Sequence, residues 1–265
     1  MKPANLLNWR SMIPFPAALI VAHPGHELRL HRWLEIARPL VFVLTDGSGS
    51  GRSRIDSTID ILDTIGCRTS SILGAFTDRE IYRLMLNGDV DPVVATTIDM
   101  ADSLVAHDIQ SVVADAFELY NPIHDLCSVM ASLAAERACA ARFEYAVTKA
   151  PSDVGERLEL DDAAMARKLA TAHRYEELSL EVESLIAKVG LNALRHEVLE
   201  PIGTTVMLPK LDHKPFYERY GEERVAEGRY STVIRYDAHF RSFVEKLIAA
   251  VKAIPAPAAS HACRS

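Results

Sequence analysis

Residues 17–27 have the sequence AALIVAHPGHE, an apolar run that ends in a turn carrying two histidines and a glutamate. The apolar part is short and aliphatic, which is typical of a buried strand in a parallel sheet. Residues 28–37 have helical spacing, so the turn joins a strand to a helix. Loops at the carboxyl ends of strands bind the ligands of open α/β proteins. The stretch therefore predicts an α/β fold with a functional site at this turn.

The same alternation of strands and helices continues through the first half of the chain. Apolar runs typical of strands lie at 39–45, 69–73, 111–114 and 143–147. Helical spacing is found between them, at 55–65, 92–106 and 124–140. Repeated strand-helix units predict a mostly parallel sheet covered by helices on both faces.

The second half of the chain has a different pattern. A long helical stretch at 161–189 precedes a region rich in Tyr, Glu, Arg and Gly with weak periodicity, which we interpret as a cap-like subregion. The expected organisation is a single α/β domain over 1–265, divided into a sheet core with the site loops (16–147), a helical and cap-like region (150–253) and a loose tail (254–265).

Composition narrows the class of partner. The 265 residues carry a net charge of -7 without a long block of like charge, so neither nucleic acid nor an anionic membrane is expected to bind. No apolar run approaches the ~20 residues of a membrane span. The four cysteines are far apart and form no CxxC pair, so neither a disulfide framework nor a cysteine zinc site is indicated. We expect a cytoplasmic protein with a small-molecule ligand, and a homo-oligomer stays open.

Three histidines are candidate metal ligands. His23 and His26 flank Pro24 and Gly25, so that both rings can face a common point. Zn²⁺ at catalytic sites takes three protein ligands and an open position, and neutral imidazole is a common ligand. His124 is the best third candidate, because it follows the strand at 111–114 and begins a helix. We therefore predict one divalent metal ion, zinc, at the shared sheet edge, and the alternative for histidines near such a turn is a surface or helix-capping role.

Two further stretches extend the pattern, LTDGSGSGRSR at 44–54 and ADAFELYNPIHD at 114–125. Together with AHPGHE at 22–27, they make residues 16–147 resemble the LmbE-like, or PIG-L, family of metal-dependent N-deacetylases of acylated amino sugars and related glycosides. That family has the motifs AHPDDE and HPDH on a Rossmann-like sheet. The resemblance implies a hydrolase that removes an N-acyl group, most simply N-acetyl, from an amino sugar or glycoside with water activated by the metal.

The resemblance also assigns roles within the two motifs. His23 and His124 match zinc ligands of the family, and His26 stands where the family has an aspartate ligand, which gives a three-histidine site. Gly25 replaces the aspartate that acts as general base in the family. Asn121 replaces a histidine that faces the developing oxyanion, where the Asn amide can still donate a hydrogen bond.

Other side chains are expected to complete the site. Substitutes for the missing base are Glu27, Glu118 and Asp125, although Glu27 matches a family glutamate for which a structural role is the alternative. The resemblance makes the loop after the second strand line the sugar site. It implies substrate contacts for Asp46, Arg54 and Asp78, with a helix N-cap as the alternative for Asp78.

Two other functions stay open at this point. One is a non-catalytic or repurposed protein of the same fold that binds a glycoside or metabolite. The other is a phosphate or nucleotide-sugar enzyme that uses the loop Gly47–Gly51, although its GxGxG spacing on the second strand differs from the GxGxxG of dinucleotide sites. The aromatic segment 214–221 is typical of a sugar-binding edge, of buried packing or of an oligomer contact.

Overall fold

A computed structural model describes residues 13–150 and 153–255. Within these ranges one mixed sheet contains β1 (Ala17–Val21), β2 (Leu40–Thr45), β3 (Arg68–Phe76), β4 (Ser111–Asp115), β5 (Ala141–Tyr145), β6 (Glu156–Glu159) and β7 (His196–Ile202). The strand order is β3-β2-β1-β4-β5-β7-β6. Pairing is parallel from β3 through β5 and antiparallel at β7 and β6. The predicted α/β class with a mostly parallel sheet is confirmed.

Helices pack against both faces of this sheet. They are α1 (His31–Ala37), α2 (Ile55–Ile65), α3 (Asp78–Asn87), α4 (Asp91–Ala106), α5 (Pro122–Ala138), α6 (Asp162–Arg174), α7 (Ser179–Val189), α8 (Phe216–Ala226) and α9 (Ser242–Ala253). Among the described residues, none of these helices is both long and apolar enough to cross a membrane.

Alternate residues of β1 point to two separate cores. Ala18 and Ile20 pack with α3, α4, α5 and α9, whereas Leu19 and Val21 pack on the opposite face with α1, α2 and α6. Because successive side chains of a strand point to opposite faces, a strand that is apolar throughout is buried on both sides. Every residue of β1 is buried, as this explanation requires.

The order in which the chain adds strands to the sheet reverses at β1. The chain passes from β1 to β2 on one side, then returns to add β4 on the other side of β1. In an open α/β sheet this switch opens a crevice outside the carboxyl ends of the two strands. The loops that follow β1 and β4 meet at that crevice, and they carry the predicted histidines.

The structure differs from the sequence prediction in four places. A 3₁₀ turn at His26–Leu30 precedes α1, and the long helical stretch at 161–189 is divided at Tyr175 into α6, a 3₁₀ turn and α7. Strands β6 and β7 extend the sheet beyond residue 147. Each contains two glutamates, so their sequences lack the apolar pattern of a buried strand, and neither strand was predicted. Helix α3 was not predicted, and most of the predicted tail lies outside the described residues.

Candidate active site

Three imidazole rings meet at the carboxyl ends of β1 and β4. The ring centroids lie 5.2 Å apart for His23 and His26, 5.0 Å for His23 and His124, and 4.5 Å for His26 and His124. His23 and His124 are buried. The structure therefore brings together the three residues that the sequence predicted as metal ligands.

Backbone contacts hold the histidine loop between the strands. The Ala22 amide donates to Asp115 Oδ2 at 2.9 Å, and the Thr45 amide donates to the Ala22 carbonyl at 2.9 Å. The loop then turns through Gly25, whose φ of 101° lies in the region that favours glycine. His124 is the third residue of α5, which Asn121 caps by accepting the Ile123 amide at 2.8 Å.

Thr45 determines which nitrogen of His23 carries hydrogen. The Thr45 hydroxyl donates to the Ala22 carbonyl at 3.1 Å and lies 2.7 Å from His23 Nδ1. Since a hydroxyl has one hydrogen to donate, it accepts from His23 Nδ1. Asp78 Oδ1 lies 3.2 Å from the same nitrogen and can only accept when ionised. The lone pair of neutral His23 is therefore on Nε2.

Asp115 likewise determines which nitrogen of His26 carries hydrogen. His26 Nδ1 lies 2.7 Å from Asp115 Oδ2, and the carboxylate also accepts the Tyr145 hydroxyl at 2.7 Å. Burial favours the neutral acid, but His26, the Ala22 amide and Tyr145 lower the pKa of Asp115 below its usual value. A carboxylate that accepts from one imidazole nitrogen leaves the other nitrogen as a metal ligand, which is the common arrangement behind metal-bound histidines.

Burial keeps two of the rings neutral. Burial lowers the pKa of His23, and it lowers the pKa of His124 well below the usual value together with repulsion from the neighbouring histidines. His124 Nδ1 is buried and has no hydrogen-bond partner among the described residues. A buried polar nitrogen without a partner is costly, and a bound ion or water removes that cost.

The ring spacing fits a metal centre, whereas the donor atoms are not yet gathered. Imidazoles bound to tetrahedral Zn²⁺ at ~2.1 Å have centroids roughly 5 Å apart, close to the spacings of this triad. In residues 13–150 and 153–255, however, no three His, Cys, Asp or Glu side chains form a ready-made metal site. The rings instead pack edge to face. The chemistry of the donor set, three imidazoles of which two are held neutral by burial, fits a metal ion.

Leu178 occupies the space where a side chain at position 25 would lie. A Cβ built on Gly25 would be 2.0 Å from Leu178 Cδ1. Leu178 ends the 3₁₀ turn before α7 and packs in a small apolar cluster with Leu28 and Tyr175. A carboxylate therefore cannot be placed at residue 25 while Leu178 stays where it is.

Glu27 stabilises the histidine loop. Its Oε2 accepts the Gly25 amide at 2.7 Å, and its Oε1 accepts the Thr58 hydroxyl at 2.8 Å. The side chain is fully buried, and burial raises the pKa of Glu27. Since both oxygens are engaged, the contacts favour the structural role over proton transfer.

Glu118, on the loop before α5, lies close to Asp125, in the first turn of α5. Asp125 Oδ1 accepts the backbone amides of Glu118 and Leu119 at 2.9 and 3.1 Å. Glu118 Oε2 accepts the backbone amide and hydroxyl of Thr148 at 2.9 and 2.8 Å. Glu118 Oε1 and Asp125 Oδ2 are buried without a partner in the described chain. Each therefore keeps one oxygen that can accept a proton.

The loop after β2 lies against the histidine loop. Asp78 Oδ2 accepts the Gly49 amide at 2.8 Å, while its other oxygen faces His23. Burial opposes ionisation, but these contacts lower the pKa of Asp78 to about 2. Thr77, rather than Asp78, caps α3. Asp78 thus contacts a predicted metal ligand and is not the predicted alternative N-cap.

Asp46 and Arg54 organise the same loop. Asp46 Oδ1 accepts the Ser48 amide at 3.0 Å, and Arg54 Nε donates to the Gly47 carbonyl at 3.0 Å. A Cβ at Gly47 would lie 3.0 Å from Pro24, so this loop forms a wall beside the histidines. The glycine-rich stretch contacts the histidine loop rather than starting a long helix that could bind a phosphate.

Exposed aromatic rings continue from the loop before α5. Tyr120 stacks on Phe216 with centroids 4.4 Å apart and planes inclined by 4°, and Phe216 lies 5.8 Å from Tyr220. The Phe216 amide donates to the Leu119 carbonyl at 3.0 Å, which ties α8 to this loop. We call Tyr120, Phe216 and Tyr220 the aromatic ladder. Its first residue, Tyr120, directly precedes Asn121 in the sequence and lies four residues before His124.

Sequence reasoning missed three side chains around the histidines, namely Thr45, Asp115 and Leu178. Thr45 and Asp115 end β2 and β4, so the position of a polar residue at the carboxyl end of a buried strand was a usable signal. Leu178 gave none, because a leucine in a helical stretch is typical of ordinary packing.

Comparison with known proteins supports the fold. No protein-family model and no curated protein sequence matches the chain. The crystal structure of the A40926 pseudoaglycone deacetylase is similar with 17% identity and a TM-score of 0.54, covering 72% of this chain and 98% of that one. The conserved protein TT1542 from Thermus thermophilus gives 18% identity and a TM-score of 0.52, covering 76% and 100%. At such identities the likeness establishes a shared fold.

Proposed function

We propose that the protein is a metal-dependent hydrolase that removes an N-acyl group, most simply acetyl, from an amino sugar or glycoside. The meeting of His23, His26 and His124 within 4.5–5.2 Å at the carboxyl ends of β1 and β4 carries this proposal. The shared fold with a pseudoaglycone deacetylase supports the reaction class. The motif resemblance supports the same substrate class.

The three histidines would hold one divalent ion, zinc by the preference of imidazole donors. Such an ion polarises an amide carbonyl and makes water a stronger nucleophile at neutral pH. Thr45 contacts Nδ1 of His23 and Asp115 contacts Nδ1 of His26. In both rings Nε2 would therefore be the atom that binds the metal ion. Burial keeps His23 and His124 neutral, which is the protonation state that binds a cation.

The remaining steps fall to residues of the loop before α5 and of the first turn of α5. The Asn121 amide oxygen caps α5, and the side chain also forms a hydrogen bond with Tyr82. We assign the remaining amide hydrogen to the oxygen of the scissile carbonyl. Glu118 and Asp125 each keep one unpartnered oxygen, and we assign to this pair the proton that the attacking water loses. Asp46, Arg54 and Asp78 would line the sugar-binding wall.

The aromatic ladder would bind a ring of the substrate next to the reacting amide. Tyr120, Phe216 and Tyr220 are 37–40% exposed, so their ring surfaces are accessible to a ligand. Aromatic rings offer flat apolar surfaces to sugars and to other rings. This arrangement favours a glycoside with a second ring over a free monosaccharide.

A second candidate function is binding without catalysis. The specific observation that favours it is Leu178, which fills the place of the family's general base at Gly25. A protein that only binds a glycoside has no use for that base. The two candidates share a ligand class and differ in turnover.

Purified protein loaded with zinc, then freed of excess metal, tests both candidates. We expect close to one zinc ion per chain by mass spectrometry, and acetate release from an aryl glycoside of N-acetylglucosamine that stops on chelation and returns with added zinc. His124→Ala should lose both metal and activity. The matched control is His213→Ala, since His213 is largely exposed on the surface.

Each result selects one interpretation. Zinc retention equal in His124→Ala and wild type would overturn the three-histidine assignment. Stoichiometric zinc and glycoside binding without acetate release would select the binding function. Acetate release by the protein after chelation would overturn the metal-dependent mechanism.

A further inference from the structure

A second polar cleft lies apart from the histidines, between α1, the end of α2 and α6. Its volume is about 460 Å³. Four arginines line it, namely Arg32, Arg38, Arg167 and Arg174. Ligand sites for small molecules have volumes on the order of 300–1,000 Å³, so the cleft can hold a metabolite.

The cleft carries an excess of positive charge. Its lining contains one acidic residue, Glu35, which pairs with Arg32 at 2.6 Å and with Arg167 at 2.6 Å. Hydrogen bonds from Arg167 and Arg32 lower the pKa of Glu35 to about 2, so this carboxylate is ionised. The remaining arginines stay uncompensated in a chain whose net charge is -7. The cluster is therefore not a result of overall composition.

Arg38 and Arg174 are the uncompensated pair. Both are exposed, and neither forms an ion pair or a side-chain hydrogen bond within the described chain. Each lies at the carboxyl end of its helix, where a cation also complements the helix dipole. Arg32, however, is in the first turn of α1, where that dipole disfavours a cation. The dipole therefore does not account for the cluster as a whole.

His31 gives a second, independent indication of a ligand. It lines the cleft and is 3% exposed. Its Nε2 lies 3.0 Å from the Thr171 hydroxyl. Its Nδ1 lies 3.9 Å from Glu35 Oε1, which is too far for a hydrogen bond, and has no hydrogen-bond partner in the described chain. Buried polar nitrogens are rarely left unpaired. A ligand oxygen in the cleft would supply the partner.

We propose that this cleft binds the phosphate group of a small ligand, with Arg38 and Arg174 as its principal contacts. The planar guanidinium group binds phosphate through two parallel hydrogen bonds, which favours phosphate over a spherical anion. A concave cleft of this size, rather than a basic stripe, favours a small molecule over nucleic acid. None of its lining residues belongs to the histidine site, so the two sites are separate.

Titration calorimetry at low salt on the chelated, full-length protein tests the proposal with two probes, inorganic phosphate and glucose 6-phosphate. We expect wild type to bind at least one of them with a Kd below about 1 mM, and Arg38→Gln/Arg174→Gln to bind at least about tenfold more weakly. The matched control is Arg83→Gln/Arg219→Gln, which removes two exposed arginines outside the cleft. Thermal melting verifies that each variant is folded.

The probes distinguish the source of the phosphate. Tighter binding of glucose 6-phosphate indicates a phosphorylated metabolite, and equal or tighter binding of inorganic phosphate indicates the free ion. His124→Ala should bind either probe like wild type, whether or not the proposed hydrolase is correct. Absence of binding by wild type up to about 1 mM, or equal binding by the Arg38→Gln/Arg174→Gln variant, would overturn the proposal.

Discussion

His26 Nδ1 lies 2.7 Å from the fully buried carboxylate of Asp115. Removing such a carboxylate behind a metal-binding histidine typically weakens metal affinity by about 10–100-fold. We expect Asp115→Asn to weaken zinc binding by about this factor. The amide that replaces the carboxylate can donate a hydrogen bond to His26 Nδ1, so the lone pair of the imidazole is no longer held on Nε2. Competition with a fluorescent zinc chelator measures the change.

Asp60→Asn is the control for this substitution, because Asp60 is exposed on α2. Unchanged zinc affinity in Asp115→Asn, together with a wild-type melting temperature, would contradict the role given to Asp115. We also expect zinc-free Asp115→Asn to melt at a lower temperature than the zinc-free wild type, since the same carboxylate accepts hydrogen bonds from the Ala22 amide and Tyr145.

Restoring an aspartate at position 25 is expected to fail. Gly25→Asp places a side chain at positive φ and 2.0 Å from Leu178 Cδ1 at its Cβ, so the free energy of unfolding should fall by about 2–5 kcal/mol. Gly190→Asp is the matched control, because Gly190 has φ +80 and nothing within 4 Å of its Cβ position. It should cost about 1–3 kcal/mol from backbone strain alone. Urea denaturation measures both.

The double variant Gly25→Asp/Leu178→Ala tests the steric explanation further. Because the leucine side chain no longer collides with the aspartate, the double variant should lose less free energy of unfolding than the two single variants lose in sum. Strict additivity of the two substitutions would show that Leu178 is not what excludes the aspartate.

The buried histidines make stability depend on pH in the metal-free protein. Burial lowers the pKa of His23 and His124, so at pH values below about 6.5 the unfolded chain binds protons that the folded chain does not. Their contribution to stability is therefore present at neutral pH and declines as the pH falls through about 6.5. Urea unfolding at neutral and at mildly acidic pH measures the decline.

Asp125 acts in the opposite direction over the same range, because its raised pKa of about 7 makes the folded chain bind the extra proton. The contribution of His124 is therefore obtained from the difference between wild type and His124→Gln. We expect a smaller loss of stability on acidification in His124→Gln. An equal loss in both proteins would show that His124 is not held neutral by burial.

Phe216 tests the aromatic ladder. Its ring stacks on Tyr120 at 4.4 Å, so Phe216→Ala should raise KM for an aryl N-acetylglucosaminide by about 3–10-fold, with a smaller effect for the methyl glycoside. Leu180→Ala is the control, because Leu180 is an exposed apolar residue on α7. An equal change of KM for both glycosides would remove the ladder from the substrate site.

The sequence allowed the fold and the histidine cluster to be predicted for the same reason. Fully buried parallel strands such as β1 and β2 are continuous apolar runs, and the first polar residues after such a run lie at the ligand-binding edge. His23 and His26 follow β1 in this way, whereas His124 is the third residue of α5, beyond the loop that follows β4. The alternation of strands and helices therefore predicted that the loops carrying the three histidines open on one edge of the sheet.

Other parts depended on contacts that the sequence does not record. Asp115 binds a ring 89 residues away, and its position at the end of an apolar strand gave no indication of its partner. Leu178 belongs to a segment whose leucines all look alike until the fold brings one of them to Gly25. Strand β7 carries two glutamates, of which Glu197 accepts the backbone amides at the start of α1, so its polarity reflects a contact with a helix.

Asp115 accepts hydrogen bonds from the end of β1 through the Ala22 amide, from the end of β5 through Tyr145 and from the ring of His26. One carboxylate thus connects the tips of three adjacent strands, with β4 contributing the carboxylate itself. The orientation of His26 therefore depends on a carboxylate that also accepts a hydrogen bond from Tyr145 of β5. Under the proposed function, the side chain that would hold a metal-binding ring in place is the same one that fastens three strands together, so that loss of this one carboxylate would weaken cation affinity and the local stability of the sheet at the same time.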